Sequence, residues 1–403
     1  TFFKAVYAKH TNFGIQKFRL DYDGSSDIDL NSETVYKFKV ERRAELLLDS
    51  YLVMNLPDIY STILPPTDSG DLWKPYHFKW IKNVGTNMIK HVRILIGANV
   101  IQEYPGSYIQ CVVERDSSAS KRKMFDAMTG NIDELNMPEF YDKRLNAYPN
   151  VFFRPNSIIQ SEPSIRGRKI YVPLNPWFMN DTKVSFPLTC LQYNEMVIEV
   201  TLRPVRELFT INNIDGVEIA GDYNINRQKL RYRIQPNFTN ELHSMYRFLQ
   251  PPPTIVLDEQ DYSNTETTWN TDIHLICNYC FLTSEETNIF CKHEQKILFK
   301  DVKHTVYHNL FDTKRVKVDS NSLVSSWMWF YRRSDANKNN SWSNHTNWPD
   351  ENLPYQLENA DESTSYISIN SKNYGPAVDP GNGTLDKYTG HQITPQFSDQ
   401  YMK

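Results

Sequence analysis

The chain has 403 residues, more than one hydrophobic core usually serves, so two domains or one unusually large β domain are expected. Aromatic residues make up 13% of it, with 24 Tyr, 21 Phe and 8 Trp beside 22 Pro, which excludes a helical bundle in favour of strands broken by turns. A formal charge of -4 argues against nucleic-acid phosphate as the main partner, and five cysteines spread over this length exclude a disulfide framework.

In chain order, Tyr36-Lys-Phe-Lys-Val40 alternates apolar and charged residues, and Leu46–Met54 follows after a polar break, so both read as strands of a sheet with one wet face. Ile89–Ile96 and Val100–Tyr104 predict a hairpin turning at Gly97-Ala98-Asn99. Residues 112–146 space Met124, Phe125, Met128, Leu135 and Phe140 at helical intervals and predict short helices inserted between strands. Strands resume at Lys169–Leu174 and Met196–Leu202, with Trp177, Phe178 and Phe186 as core or sheet-edge aromatics. The weakly patterned stretch to about residue 226 reads as a junction between domains. Beyond it, Asn240–Arg247 predicts a short helix capped by Thr239 or Asn240 and stopped by Pro251-Pro252-Pro253. Ile273–Leu282, Gln295–Lys300 and Leu323–Tyr331 predict strands of a second β block, and the Asn-, Ser- and Gly-rich end after Asn337 reads as long loop.

No run of about 18 apolar residues is present, so no transmembrane segment is expected. The chain opens on Thr1, with no charged-then-apolar signal. The basic runs Lys121–Lys123 and Arg166–Lys169 read as solvated loops or interfacial charge rather than a nucleic-acid groove.

Cys277, Cys280, Cys291 and His293 make the best metal-like cluster, yet a spacing of three within a strand sends Cys277 and Cys280 to opposite faces, so small buried hydrophobes are expected. His304 and His308, four apart, read as polar residues near a strand end. No nucleophile elbow, phosphate-binding glycine loop or His-Glu-x-x-His helix occurs, so neither catalytic residue, metal nor cofactor is predicted. N-glycosylation triplets stand at Asn180, Asn237, Asn339, Asn344 and Asn382.

Several phrases resemble the major capsid proteins of nucleocytoplasmic large DNA viruses. They are Thr1–Phe13, Trp80–Gly97, Ile170–Phe178 with Phe186–Tyr193 and Leu202–Pro204, and, as in the mimivirus-related branch, Tyr246–Pro253, Tyr279–Leu282 and Trp342–Trp348. The resemblance implies an all-β fold of two tandem jelly-roll sandwiches with short helical insertions and long loops. Its domains would be an arm at 1–16, a first jelly roll at 17–210 and a second at 211–403, the closing strands of the second being unrecognisable after Trp348. It further implies a homotrimer that forms a pseudo-hexagonal capsomer in an icosahedral shell, assembled in the host cytoplasm. The partners would be neighbouring capsomers and minor capsid proteins beneath the shell, with an inner viral membrane nearby and no direct nucleic-acid binding.

Within that picture Phe2, Phe3, Tyr7 and Phe13, interleaved with Lys4, Lys9 and His10, make the first segment a candidate inner strap between subunits, with an ordinary first strand as the alternative. The long loops at 112–168 and after Asn337 are candidates for an outer crown. Rival functions are a minor or vertex capsid protein, a carbohydrate-binding jelly roll using Trp342 and Trp348, and a cupin-like metalloenzyme.

Overall fold

The structure is a computed structural model describing residues 11–22, 24, 27–60, 63–64, 74–75, 78–138, 163–212, 233–251, 262, 264–308, 310, 313–318, 320, 323–345, 376–379, 383–386 and 392–393. Eight strands carry the architecture: β1 (Gly14–Leu20), β2 (Thr34–Val40), β3 (Leu46–Leu56), β4 (Ile89–Ile96), β5 (Asn99–Pro105), β6 (Arg168–Pro173), β7 (Met196–Leu202) and β8 (His274–Phe281). They form two antiparallel sheets. One runs β1-β8-β3-β6, with Phe186–Pro187 pairing the other end of β3, and the second runs β2-β7-β4-β5. Strand order 1-8-3-6 facing 2-7-4-5 is that of an eight-stranded jelly roll.

The alternation of the sequence explains the sandwich. Tyr36, Phe38 and Val40 on β2, Met196, Ile198, Val200 and Leu202 on β7, and Val92 and Ile94 on β4 are buried, while the residues between them are half-buried or exposed. From the other sheet Leu47, Leu52, Met54, Ile170, Val172, Leu275, Cys277 and Tyr279 join the same core. Each such side chain contributes about 1.5–3 kcal/mol of transfer free energy, so a one-residue slip in any strand would expose its whole set. The β4–β5 hairpin turns at Gly97, whose φ of 61 suits glycine.

Antiparallel pairing puts the β1–β2, β3–β4, β5–β6 and β7–β8 connections at one end of the sandwich, and the last three of these are the longest between the eight strands. The other end has the hairpin at residues 97–98 and the short 41–45 link, together with the 174–195 connection. The β3–β4 connection contains α1 (Val84–Met88). The β5–β6 connection contains α2 (Gly106–Asp116), α3 (Ala119–Thr129) and α4 (Asp133–Asn136), as the helical spacing at 112–146 predicts over its described part. Gly106 opens α2 where a Cβ would collide with the carbonyl oxygens of Ile89 and Thr86. The β7–β8 connection contains α5 (Tyr246–Leu249), preceded by a turn whose Asn240 side chain accepts from the Leu242 N–H, and α6 (Ser284–Lys292) follows β8.

Three expectations are corrected. The strand at Ile273–Leu282 does not belong to a second block: as β8 it lies between β1 and β3, so the first jelly roll extends past the expected boundary at 210. Sequence distance concealed this, because alternation identifies a strand without naming its partners. The stretch read as a domain junction holds the buried strand Phe209–Asn212, which pairs with Lys79–Trp80 and Arg233–Ile234. Gln295–Lys300 and Leu323–Tyr331 have strand-like alternation but no strand pairing. A strand is stable only against a neighbour, and the backbone strands Pro376–Asp379, Gly383–Asp386 and Gln392–Ile393 pair with one another instead.

Candidate interaction surface at the elaborated end

The long connections knit into a cap over one end of the sandwich. Phe78 stacks on Phe209 with centroids 4.4 Å apart and meets Trp80 and Phe248 at 5.1 and 5.3 Å. Tyr60 N–H donates to Phe248 O, Ile81 N–H to Leu208 O, and Ile59 bridges Ile165, so three connections share hydrogen bonds. Val205 and Arg206 N–H groups donate to Asp29 and Leu30, which brings in the β1–β2 connection as well. Loops held by a shared aromatic core are rigid enough to present a defined surface.

The turn at 333–345 is fastened to this cap. Asn340, at φ 51 and buried, donates through Nδ2 to Arg206 O and Phe209 O, both at 2.7 Å, and accepts from Gln235 Nε2. Trp342 Nε1 donates to Glu207 O, while the Arg203 guanidinium lies over the indole at 4.1 Å and pairs with Glu207 at 3.0 Å. A cleft of about 290 Å³ opens between the β3–β4 and β7–β8 connections, lined by Asp58, Tyr60, Leu249, Gln250, Glu266 and Trp269. Burial, with Asp58 nearby, pushes the Tyr60 phenol above its usual pKa.

Electrostatics also mark where β8 begins. Asp272 binds Arg19 at 2.7 Å and Lys169 at 3.4 Å, and its hydrogen bond from Arg19 holds the carboxyl below the usual range. His274 is buried, its Nδ1 2.6 Å from Asp272 O, and burial pushes its pKa down.

The residues singled out in the sequence scatter over this frame. Phe13 is 66% exposed just before β1, and Thr11 Oγ1 donates to Glu286 on α6; Phe2, Phe3 and Tyr7 lie outside the described residues. Cys277 and Cys280 are buried on opposite faces of β8, and burial pushes the Cys277 thiol up to about 12. Among the described residues no cluster of three His, Cys, Asp or Glu could hold a metal, and His304 and His308 lie in a segment without strand. Asn180 and Asn237 are exposed, Asn339 is half-buried, Asn344 is only 2% exposed, and Asn382 lies outside the described residues. As folded, Asn344 has no room for a glycan. Sequence reasoning missed the cap itself, since its aromatics come from connections far apart in the chain.

Comparison with known proteins places this frame. A profile described as the major capsid protein N-terminus matches residues 1–237. Probable capsid protein 4 of Acanthamoeba polyphaga mimivirus is 28% identical over 55% of this chain and 37% of its own length. The major capsid protein of Chrysochromulina ericina virus is 24% identical over 54% of this chain and 40% of its own length. The chain thus spans about two-fifths of the length of these curated relatives. The solved Faustovirus major capsid protein is similar over 72% of this chain and 58% of its own, with 11% identity and a TM-score of 0.43. With residues 1–237 of 403 matched, the chain belongs to the major capsid protein family of the large DNA viruses.

Proposed function

We propose that this chain is a structural subunit of the outer shell of a large double-stranded DNA virus, three copies associating into a pseudo-hexagonal capsomer. The observation that carries the reading is the closure of a complete jelly roll by β8, with its three longest connections gathered at one end. Such a unit is a brick: its sheets face sideways to neighbours, and its cap presents loops along the perpendicular direction. Work in this setting is burial of surface between subunits rather than the breaking of bonds, which fits a structural role without cofactor.

A second sandwich, assembled from residues after α6, completes the tile in this reading. Leu298 and Leu323 are almost wholly exposed and Trp329 is 77% exposed, apolar side chains that packing against a further sheet would cover. The Phe13 segment, together with Phe2, Phe3 and Tyr7, serves as a strap to adjoining subunits or to minor capsid proteins beneath the shell. Assembly takes place in the host cytoplasm and the product resides in the virion.

Light scattering on the purified full chain tests the trimer. A mass of three chains at micromolar concentration is expected. A monomer over the same range, or a trimer that never forms hexagonal arrays on concentration, would overturn the reading.

A further inference from the structure

We propose that the cleft between the β3–β4 and β7–β8 connections receives α3 of a second copy of this chain, with Lys123 and Met124 leading. The inference rests on the three-copy reading above and names a contact that holds the copies together. The cleft has the chemistry for a cation on an apolar stem. Tyr60 and Trp269 supply aromatic walls, Pro57 and Leu249 supply aliphatic ones, and Asp58 and Glu266 are exposed lining residues. Among the described residues neither carboxylate has a cationic partner. Asp58 Oδ1 accepts from the Gly167 N–H at 2.6 Å, and Glu266 Oε1 accepts from the Thr268 hydroxyl at 3.3 Å. The walls are set by backbone contacts, since Tyr60 N–H donates to Phe248 O at 2.8 Å and Trp269 Nε1 to Asn55 O at 2.9 Å.

The basic run Lys121-Arg122-Lys123 supplies the complement. It lies in α3, within the β5–β6 connection. Arg122 turns back onto α2, pairing with Glu114 at 3.1 Å and donating to the backbone oxygens of Glu114 and Ser117. Lys121 and Lys123 are exposed and form no ion pair among the described residues, and Met124 is 66% exposed. Ser120, Lys123, Met124 and Ala127 fall at helical spacing on one exposed stripe, so a cation and a thioether stand out between two small residues. Phe125, buried in the core, anchors the helix that carries them.

A ring of three identical subunits needs two different, complementary patches on each, because its interfaces are heterologous. Rotation about the ring axis leaves height unchanged, so the two patches must lie at one level. The cleft and α3 both belong to the elaborated end of the sandwich. Within one chain they form no ion pair with each other, which leaves both sets of charges for a neighbour. The outer face of the β2-β7-β4-β5 sheet offers no such complement, because it neutralises itself. There Lys37 and Arg93 meet Glu199 at 3.7 and 3.2 Å, and Lys39 meets Glu195 at 2.6 Å.

The test is sedimentation equilibrium on the full chain and on charge-exchanged variants. Asp58→Asn, which keeps an acceptor for Gly167, combined with Glu266→Lys should raise the trimer dissociation constant at least about tenfold, as should Lys121→Glu with Lys123→Glu. All four substitutions in one chain exchange the signs of both patches in every copy, so the trimer should return while either pair alone stays weakened. That return also shows that neither pair acts through misfolding. Two results would overturn the proposal: a wild-type trimer that neither pair weakens, or a four-substitution variant no tighter than the weaker pair. A wild-type chain that stays monomeric throughout removes the three-copy reading itself, and this contact with it.

Discussion

Arg19, next to last in β1, donates to the Asp272 carboxylate at 2.7 Å and so ties the start of the last strand to the end of the first. Asp272 has a φ of 44, a conformation that Asp and Asn tolerate better than other side chains, and it reaches Lys169 on β6 as well. Asp272→Ala therefore loses two partly exposed ion pairs worth about 0.2–1 kcal/mol each and adds about 1–2 kcal/mol of backbone cost. Asp272→Asn loses only the charge. Urea unfolding should rank wild type above Asn and Asn above Ala, and coincident midpoints for all three would refute this account.

His274 makes stability depend on pH. Its folded pKa lies below 6.5, because burial, then Arg19 and Lys169, disfavour the proton more than Asp272 favours it. The unfolded chain therefore takes up a proton first as pH falls, so stability is full above about 6.5, declines from there to the lower folded value, and flattens below it. His274→Leu should flatten the melting temperature between about pH 7 and pH 5 relative to wild type. Parallel curves for the two proteins would remove His274 as the cause.

Gly106→Ala should be severe. Its Cβ would overlap two backbone carbonyls, which no rotamer change relieves, and the cost is expected at about 3 kcal/mol or more, as for overpacked cores. Gly14→Ala is the matched control, with Phe281 Cβ 4.0 Å away, and should lie within about 0.5 kcal/mol of wild type. Equal melting temperatures for the two variants would count against the close approach.

Phe209 lies within 6.4 Å of four other aromatic rings in the cap. Phe209→Ala is expected to cost about 3–5 kcal/mol and to speed proteolysis of the β3–β4 and β7–β8 connections together. Cleavage of only one connection would mean the cap is not a single unit.

Much of the sandwich is legible in the sequence. The alternation in Tyr36–Val40 and Met196–Leu202 reports one buried face directly, and Gly97 punctuates the hairpin. The same logic sends Cys277 and Cys280 to opposite faces. What it cannot supply is partnership: Ile273–Leu282 reads as a strand, but only the register of Tyr279 opposite Leu47 and of Lys17 opposite Asn278 assigns it to the first jelly roll. Leu323–Tyr331 shows the converse, a strand-like pattern without a strand.

The position of β8 in the chain also governs how the molecule can be made. On the ribosome, β1 and β3 emerge early and must wait, with the slot between them vacant, until residue 281 of 403 is released. The entropic cost of closing so long a loop rises only with the logarithm of its length, but contacts this distant in sequence slow folding and leave strand edges bare meanwhile. A nascent chain of this protein therefore carries unpaired strand edges through most of its synthesis, and a variant that frays at β8 returns to that state.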